Sequence, residues 1–450
     1  MRTLQVRWVH LAILLFLLLC WKQESVIFAQ ELTLSGAGPI NHSLAGVAAA
    51  LPRDSAGAIQ WNPATISFLE KSEFQFGWGR HNPPWYGDEP IGYTALVGLW
   101  LTWEIVKNTV INNNNDDDWK QWNSNSDDTY PKFGSYKHGK IRVPALSYVY
   151  HKDRYWSYGL AISEYGANKA GALVIDDKVG ICEYSFRGYE FVPTVSYKES
   201  KRFSFGLSPI FSIEEMPNAS LPVIVSRYSA APEQDRRSKA GFGLQAGMFY
   251  SPVEHLRFGA SVRTPLLINR FTYRWTDPIT GELGTQQLYF SQDSAFRIVL
   301  GTSYTFNSYK TTLAADFRYS DYSHASALYD IPASFDTEVK KQDISRAVYS
   351  LAFGAEHRPW DIIAFRMGYQ WNHAVIPKKA IIYNTGLPIQ SGHSIHYGVT
   401  FFFSEIFDLS FSSSNSFGSG QETIHTESGS VSFRRNPNRS NFWAAARVRF

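Results

Sequence analysis

The chain lacks most of what holds a secreted soluble domain together. It has 2 cysteines in 450 residues, Cys20 and Cys182. Loss of Cys20 with a leader would leave no internal disulfide, so an exported chain of this size must be stabilised by other means. Charge is scarce: 18% of residues are charged and the formal net charge is +3, with no Lys/Arg stripe, which argues against a nucleic-acid partner. Past the N-terminal region there is no run of about 18 consecutive apolar residues, so the chain does not cross a membrane as helices. The 12 histidines are scattered, and neither a Gly-x-Ser-x-Gly elbow nor a His-Glu-x-x-His pair occurs, which argues against a lipase or protease. A propeller would show a repeat of about 40 residues, and none is found. No cofactor or metal is expected.

Aromatic residues, by contrast, are abundant, at 16% of the chain with 25 Tyr and 14 Trp. That exceeds what a core needs, and rings with one apolar and one polar end suit the girdles of a membrane barrel. An aromatic-rich secreted sandwich is the competing reading of composition alone. At the start, Arg2 and Arg7 precede an apolar run from Leu11 to Leu19, and Ala29 offers a cleavage site. A signal peptide over 1–29 is therefore expected, with the mature chain beginning near Gln30. Lipidation at Cys20 is disfavoured by bulky Leu19 before it and Trp21 after it.

Alternation with period two recurs along the rest. Phe74, Phe76 and Trp78 share a face, as do Phe203, Phe205, Leu207, Phe211 and Ile213, and then Phe242, Leu244, Ala246, Met248 and Tyr250. The same holds for Leu313, Ala315, Phe317 and Tyr319, and for Ile363, Phe365, Met367, Tyr369 and Trp371. Gly, Ser, Arg and Gln occupy the other face, as expected of strands with lipid outside and a polar lumen inside. Short polar links at His151–Arg154, Lys198–Lys201 and His357–Trp360 predict tight turns on one side. Longer links at Asn112–Asp128, Pro217–Lys239, Tyr329–Asp343 and Ser412–Arg439 predict outward loops. The last strand carries Phe442, Ala444, Ala446, Val448 and Phe450 on one face, and an aromatic terminus is what barrel-assembly machinery tends to recognise. With both ends on the periplasmic side, the strand number must be even. The expected class is an all-β transmembrane antiparallel barrel over 73–450 in the outer membrane, in contact with its lipid.

From Gln30 to Ser72 the pattern changes to small residues without period two, including Gly36, Gly38, Gly46, Ala48, Ala49, Ala50 and Gly57. A close-packed segment threaded into a lumen needs small side chains, so 30–72 is read as a plug. Within it, Asp54, Ala56-Gly57 and Asn62-Pro63-Ala64 resemble the N-terminal hatch of the outer-membrane long-chain fatty-acid and aromatic-hydrocarbon transporter family. Gly159 to Gly166, Phe258 to Pro265, Ala315-Asp316-Phe317, Gly354 to His357 and Arg366 to Tyr369 are similar to later parts of that family in the same order.

The resemblance implies about 14 strands, a hatch that blocks straight passage, and passive uptake of a hydrophobic small molecule that leaves sideways through the wall. Counting alternating segments directly yields fifteen or so, with Asn269 to Ser291 ambiguous between a barrel hairpin and an external excursion. Asp54, Gly57, Asn62, Pro63 and Ala64 are the candidate gate residues; Asn62 and Pro63 would fix a turn. Leu96, Leu99, Trp100 and Trp103 are candidates for an external ligand groove, or equally for a strand or a rim helix. The Asn112–Asp118 tract lacks the spacing of a calcium loop and reads as solvated. A general porin is the alternative function, and it should lack the plug.

Overall fold

The computed structural model describes residues 36–82, 141–175, 178–219, 233–234, 238–269, 271–276, 283–290, 295–321, 347–373, 392–417, 421–426, 429–434 and 439–450. Among them, fourteen antiparallel strands close into a barrel. These are β1 (Glu73–Asn82), β2 (Ile141–His151), β3 (Trp156–Ile175), β4 (Lys178–Lys198), β5 (Phe203–Ala219), β6 (Lys239–Val253) and β7 (Leu256–Arg263). They continue as β8 (Phe296–Phe306), β9 (Thr311–Asp321), β10 (Ala347–Trp360), β11 (Ile363–Asn372), β12 (His393–Phe402), β13 (Phe407–Phe417) and β14 (Arg439–Arg449). Each pairs with its chain neighbours, and β14 returns to β1 with Phe74 opposite Val448 and Phe76 opposite Ala446. The Phe450 amide donates to the Ser72 carbonyl at 2.9 Å, fastening the seam. Closure gives every barrel strand a partner on each side around the ring.

The period-two faces separate as expected. Phe76, Phe205, Phe353 and Leu313 point outward and are about half exposed, whereas Gln75, Ser204, Ala352 and Thr312 beside them in sequence are buried on the inside. Reversals at 152–155, 199–202, 254–255, 307–310, 361–362 and 403–406 are short and lie at the end of the barrel where Ser72 and Phe450 meet. At the first of these Asp153 accepts from the Tyr155 and Trp156 amides at 2.7 and 2.8 Å, an Asx turn. The β3–β4 arms extend from the other end.

Two expectations need correction, and one left open is decided. No turn forms at His357–Trp360: β10 runs through Trp360, and the chain reverses at 361–362. A register shift between His357 and Trp360, with Arg358 N bonded to Lys310 O at 3.0 Å, carries the strand past Pro359. The Ser412–Arg439 stretch is not simply a loop. Strand β13 continues to Phe417, and Gln421–Thr426 pairs with Gly429–Arg434 in a separate hairpin. Within Asn269–Ser291, Phe271–Thr276 pairs with Leu283–Phe290 and with Glu233–Gln234 in a sheet separate from the barrel, which accounts for the surplus in the direct count.

Residues 36–72 form helices α1 (Gly38–Ser43) and α2 (Ser55–Trp61) and a 3-10 turn over Pro63–Phe68. Almost every residue of the segment is buried. Its hydrogen bonds reach inward-facing groups of strands around the ring, among them β2, β4, β6, β8, β9, β13 and β14, so the segment sits inside it.

Candidate functional site

Helices this short leave most of their terminal amide and carbonyl groups without intrahelical partners. Buried in a lumen, those groups must be satisfied by the wall. The wall supplies small hydroxyls, amides and guanidinium groups at the matching heights. Ser196 and Ser204 donate to the Ala64 carbonyl at 3.1 and 2.8 Å, Ser303 donates to Ala50 O at 2.8 Å, and Ser261 donates to Trp61 O.

Close approach comes from glycines on the inner face. A Cβ at Gly206 would overlap Pro63 and the Ala64 amide; at Gly247, the Asn62 side chain; and at Gly259, the Ala49 carbonyl. Each follows an outward-facing residue, as in Phe205-Gly206 and Phe258-Gly259, so one dipeptide presents bulk to the outside and backbone to the segment.

Asn62, Pro63 and Ala64 lie where these contacts converge. Asn62 is fully buried and uses both ends of its amide: Oδ1 accepts from Ala64 N at 3.1 Å, and Nδ2 donates to Ala49 O at 2.7 Å and Met248 O at 2.9 Å. Pro63 opens the 3-10 turn, a position where its missing N–H costs nothing. The turn therefore joins two parts of the segment to β6.

Trp61 ties the segment to the neighbouring sector. Its Nε1 donates to Asn41 Oδ1 at 2.8 Å, and its ring lies beneath the guanidinium groups of Arg318 at 3.9 Å and Arg297 at 4.5 Å. Arg318 also donates to Ala45 O at 3.1 Å, while Asp316 accepts from the Ala48 and Ala49 amides at 3.0 and 3.2 Å. Ala45, with φ of 55°, completes this turn of the segment. On β13, Ser412 and Ser414 hold the two ring nitrogens of His42 at 2.9 and 3.0 Å.

Toward the short-turn end, ion pairs span β10 to β1. Arg53 meets Glu356 at 2.8 Å, which also pairs with Arg366 at 2.6 Å. Arg447 bridges Glu73 at 3.2 Å and Asp408 at 3.0 Å, and donates to Arg53 O at 2.7 Å. Asp54 stands beside this network without an ion pair among the described residues; its carboxylate accepts from Gln75 Nε2 at 3.4 Å. Burial chiefly, and then the charge of Glu73, push the Asp54 carboxyl up to about 7, against the weaker opposite pull of Arg447, Arg366 and the Gln75 bond. Gly57 is required here because a Cβ would lie 2.8 Å from Asp54 Oδ1 and from Asn41 Cβ.

The remaining sector holds an apolar cluster. Ile59, Ile66 and Leu69 of the segment pack with Val149, Val192, Ile210, Leu266 and Ile268, projecting from β2, β4, β5 and the stretch after β7. The arginine network thus occupies the side from β8 to β1, while the side from β2 to β5 combines this apolar cluster with the hydroxyls of Ser147, Ser196 and Ser204.

The gate candidates Asp54, Gly57, Asn62, Pro63 and Ala64 all lie in this buried assembly, but not at one point: Asp54 and Gly57 face the ion pairs, and the other three face β5 and β6. Leu96, Leu99, Trp100, Trp103, the Asn112–Asp118 tract and residues 1–35 lie outside the described residues. Sequence reasoning missed Trp61, Asp316, Arg318 and the arginine network. The signal available was inner-face charge on strands whose other face is apolar, as in Asp316-Phe317-Arg318.

No family model matches the chain, and no curated protein matches it. Solved structures do. The P. putida toluene transporter TodX matches with a TM-score of 0.62 at 14% identity, over 93% of this chain and 99% of its own. The Ralstonia pickettii toluene transporter TbuX gives 0.60 at 15% identity, over 93% and 100%. A Pseudomonas aeruginosa FadL homologue gives 0.61 at 13% identity, over 94% and 99%. The likeness is one of fold, and it extends along nearly the whole chain.

Proposed function

We propose that this chain is an outer-membrane channel for passive uptake of hydrophobic compounds, long-chain fatty acids or hydrocarbons, and that it belongs with the transporters whose fold it shares. The observation that carries this reading is a buried segment bonded around the ring, with an apolar cluster against β2, β4 and β5 on one side of it. Segment 30–72 is the hatch, following a signal peptide over 1–29 and preceding the barrel over 73–450. Straight aqueous passage is closed by the hatch, while a hydrophobic molecule passes along the apolar cluster and leaves sideways into lipid. No bond is made or broken in such a process; it needs only an apolar path and a gate. Leu96, Leu99, Trp100 and Trp103 remain candidates for the first external groove, and Phe450 for the signal read by the barrel-assembly machinery.

The reading is tested in cells lacking other channels of this kind. Expression of the chain should accelerate uptake of labelled oleate or toluene, and leave uptake of a polar sugar unchanged. The opposite pattern would identify a general porin.

A further inference from the structure

We propose that Asp54 is a proton-operated latch on the N-terminal segment: protonated, it keeps residues 53–55 seated against the wall, and ionised, it unseats them and opens the passage. This regulation rests on the hatch reading above. Its basis is the contrast between Asp54 and its acidic neighbours. Glu73, Asp408 and Glu356 each have an arginine within 3.2 Å, whereas Asp54, equally buried, has only the long Gln75 bond. Helix α2 leaves no space over the carboxylate, as the Gly57 contact demonstrates.

The charged groups facing Asp54 are Glu73 on β1, Arg447 on β14 and Arg366 on β11. Behind them lie Asp408, Arg449, Glu356 and Arg53. Arg447 is already shared by two carboxylates and the Arg53 carbonyl. A third anion at Asp54 competes for the same guanidinium, repels Glu73, and so loosens the grip of Arg447 on Arg53 O. Ser55 N, which donates to Glu73 at 2.5 Å, is the adjacent bond at risk.

The direction follows from proton linkage. The buried carboxyl holds its proton up to about 7, whereas the unseated carboxyl would release it near its ordinary value of 3.8. Seating is therefore strongest below the lower value, weakens as pH rises through this window by at most about tenfold per pH unit, and is flat above it.

The test is planar-bilayer leak conductance of the full-length protein between pH 5 and pH 8, paired with infrared spectroscopy of the protonated carboxyl stretch. Wild type should leak at least about tenfold more at the upper pH. Asp54→Asn, which keeps the acceptor for Gln75, should stay at the low-pH leak throughout. A carboxyl band that titrates near neutrality should be present in wild type and absent from Asp54→Asn. A flat wild-type profile, or the wild-type slope and band persisting in Asp54→Asn, would overturn the latch. Histidine titration is separated because Asp54→Asn leaves every histidine in place. A failure of hydrophobic uptake at all pH values, with leak and band still titrating, would instead sink the transport reading and leave the latch standing.

Discussion

Gly259 offers the sharpest test of how the segment is seated. A Cβ there would overlap the Ala49 carbonyl and lie 3.0 Å from Ala50 N, so Gly259→Ala forces the turn at Ala48–Ala50 away from β7. That turn holds four bonds: Asn62 Nδ2 to Ala49 O at 2.7 Å, Ala48 N and Ala49 N to Asp316 at 3.0 and 3.2 Å, and Ser303 Oγ to Ala50 O at 2.8 Å. Overpacking costs about 1–3 kcal/mol, and weakening bonds worth about 1 kcal/mol each, more where a carboxylate accepts, brings the bias against seating to roughly 3–5 kcal/mol. At about 1.4 kcal/mol per tenfold, the unseated population should rise by roughly 10²–10⁴. The assay is the labelling rate of Ala48→Cys, a buried position, in a Cys182→Ser background. Gly77→Ala is the control, since its nearest neighbour is Ala445 Cβ at an ordinary 3.5 Å. Equal labelling in Gly259→Ala and Gly77→Ala would refute the close-approach argument.

Other expectations follow the same contacts. Trp61→Phe keeps the ring beneath Arg297 and Arg318 but leaves Asn41 Oδ1 with the Ala37 amide as its remaining donor, so the segment's resistance to protease should fall by about 1 kcal/mol, against roughly 3–5 kcal/mol for Trp61→Ala. Asp316→Ala strands two buried amides and the Arg318 charge, and should cost about 3–5 kcal/mol in urea titration of the segment's release. Deleting Phe450 removes the amide bond to Ser72 and the ring stacked on Tyr148, and should lower the yield of heat-modifiable barrel; an unchanged yield would count against the terminal-strand reading.

How far such contacts could be foreseen depends on their range along the chain. Alternation is a local property, which is why the outward faces of β5, β6, β9 and β11 were legible residue by residue. The turn after β10 was not, because Pro359 looks like a breaker unless the bulge that accommodates it is known. Small residues marked the segment as a plug, yet the partners of Ala48 and Ala49 lie on Asp316, far along the chain, and no local pattern encodes that pairing. The aromatic–glycine dipeptides were present and interpretable: a glycine on the inner face of a lipid-exposed strand marks where something presses against the wall. The ion pairs around Arg447 join β14 and its chain neighbour β13 to β1, which meets β14 only on closure, so the Glu73 partner follows from topology and not from spacing.

The central claim is that a seated N-terminal segment closes an otherwise open barrel to water while sparing a hydrophobic route. It is tested most directly by single-channel conductance of the full-length protein against a variant lacking residues 30–72, with residues 1–29 retained. The account predicts low conductance from the intact protein and a large, persistent open-pore conductance from the deletion. An intact protein that already conducts like an open porin, with no change on deletion, would contradict it.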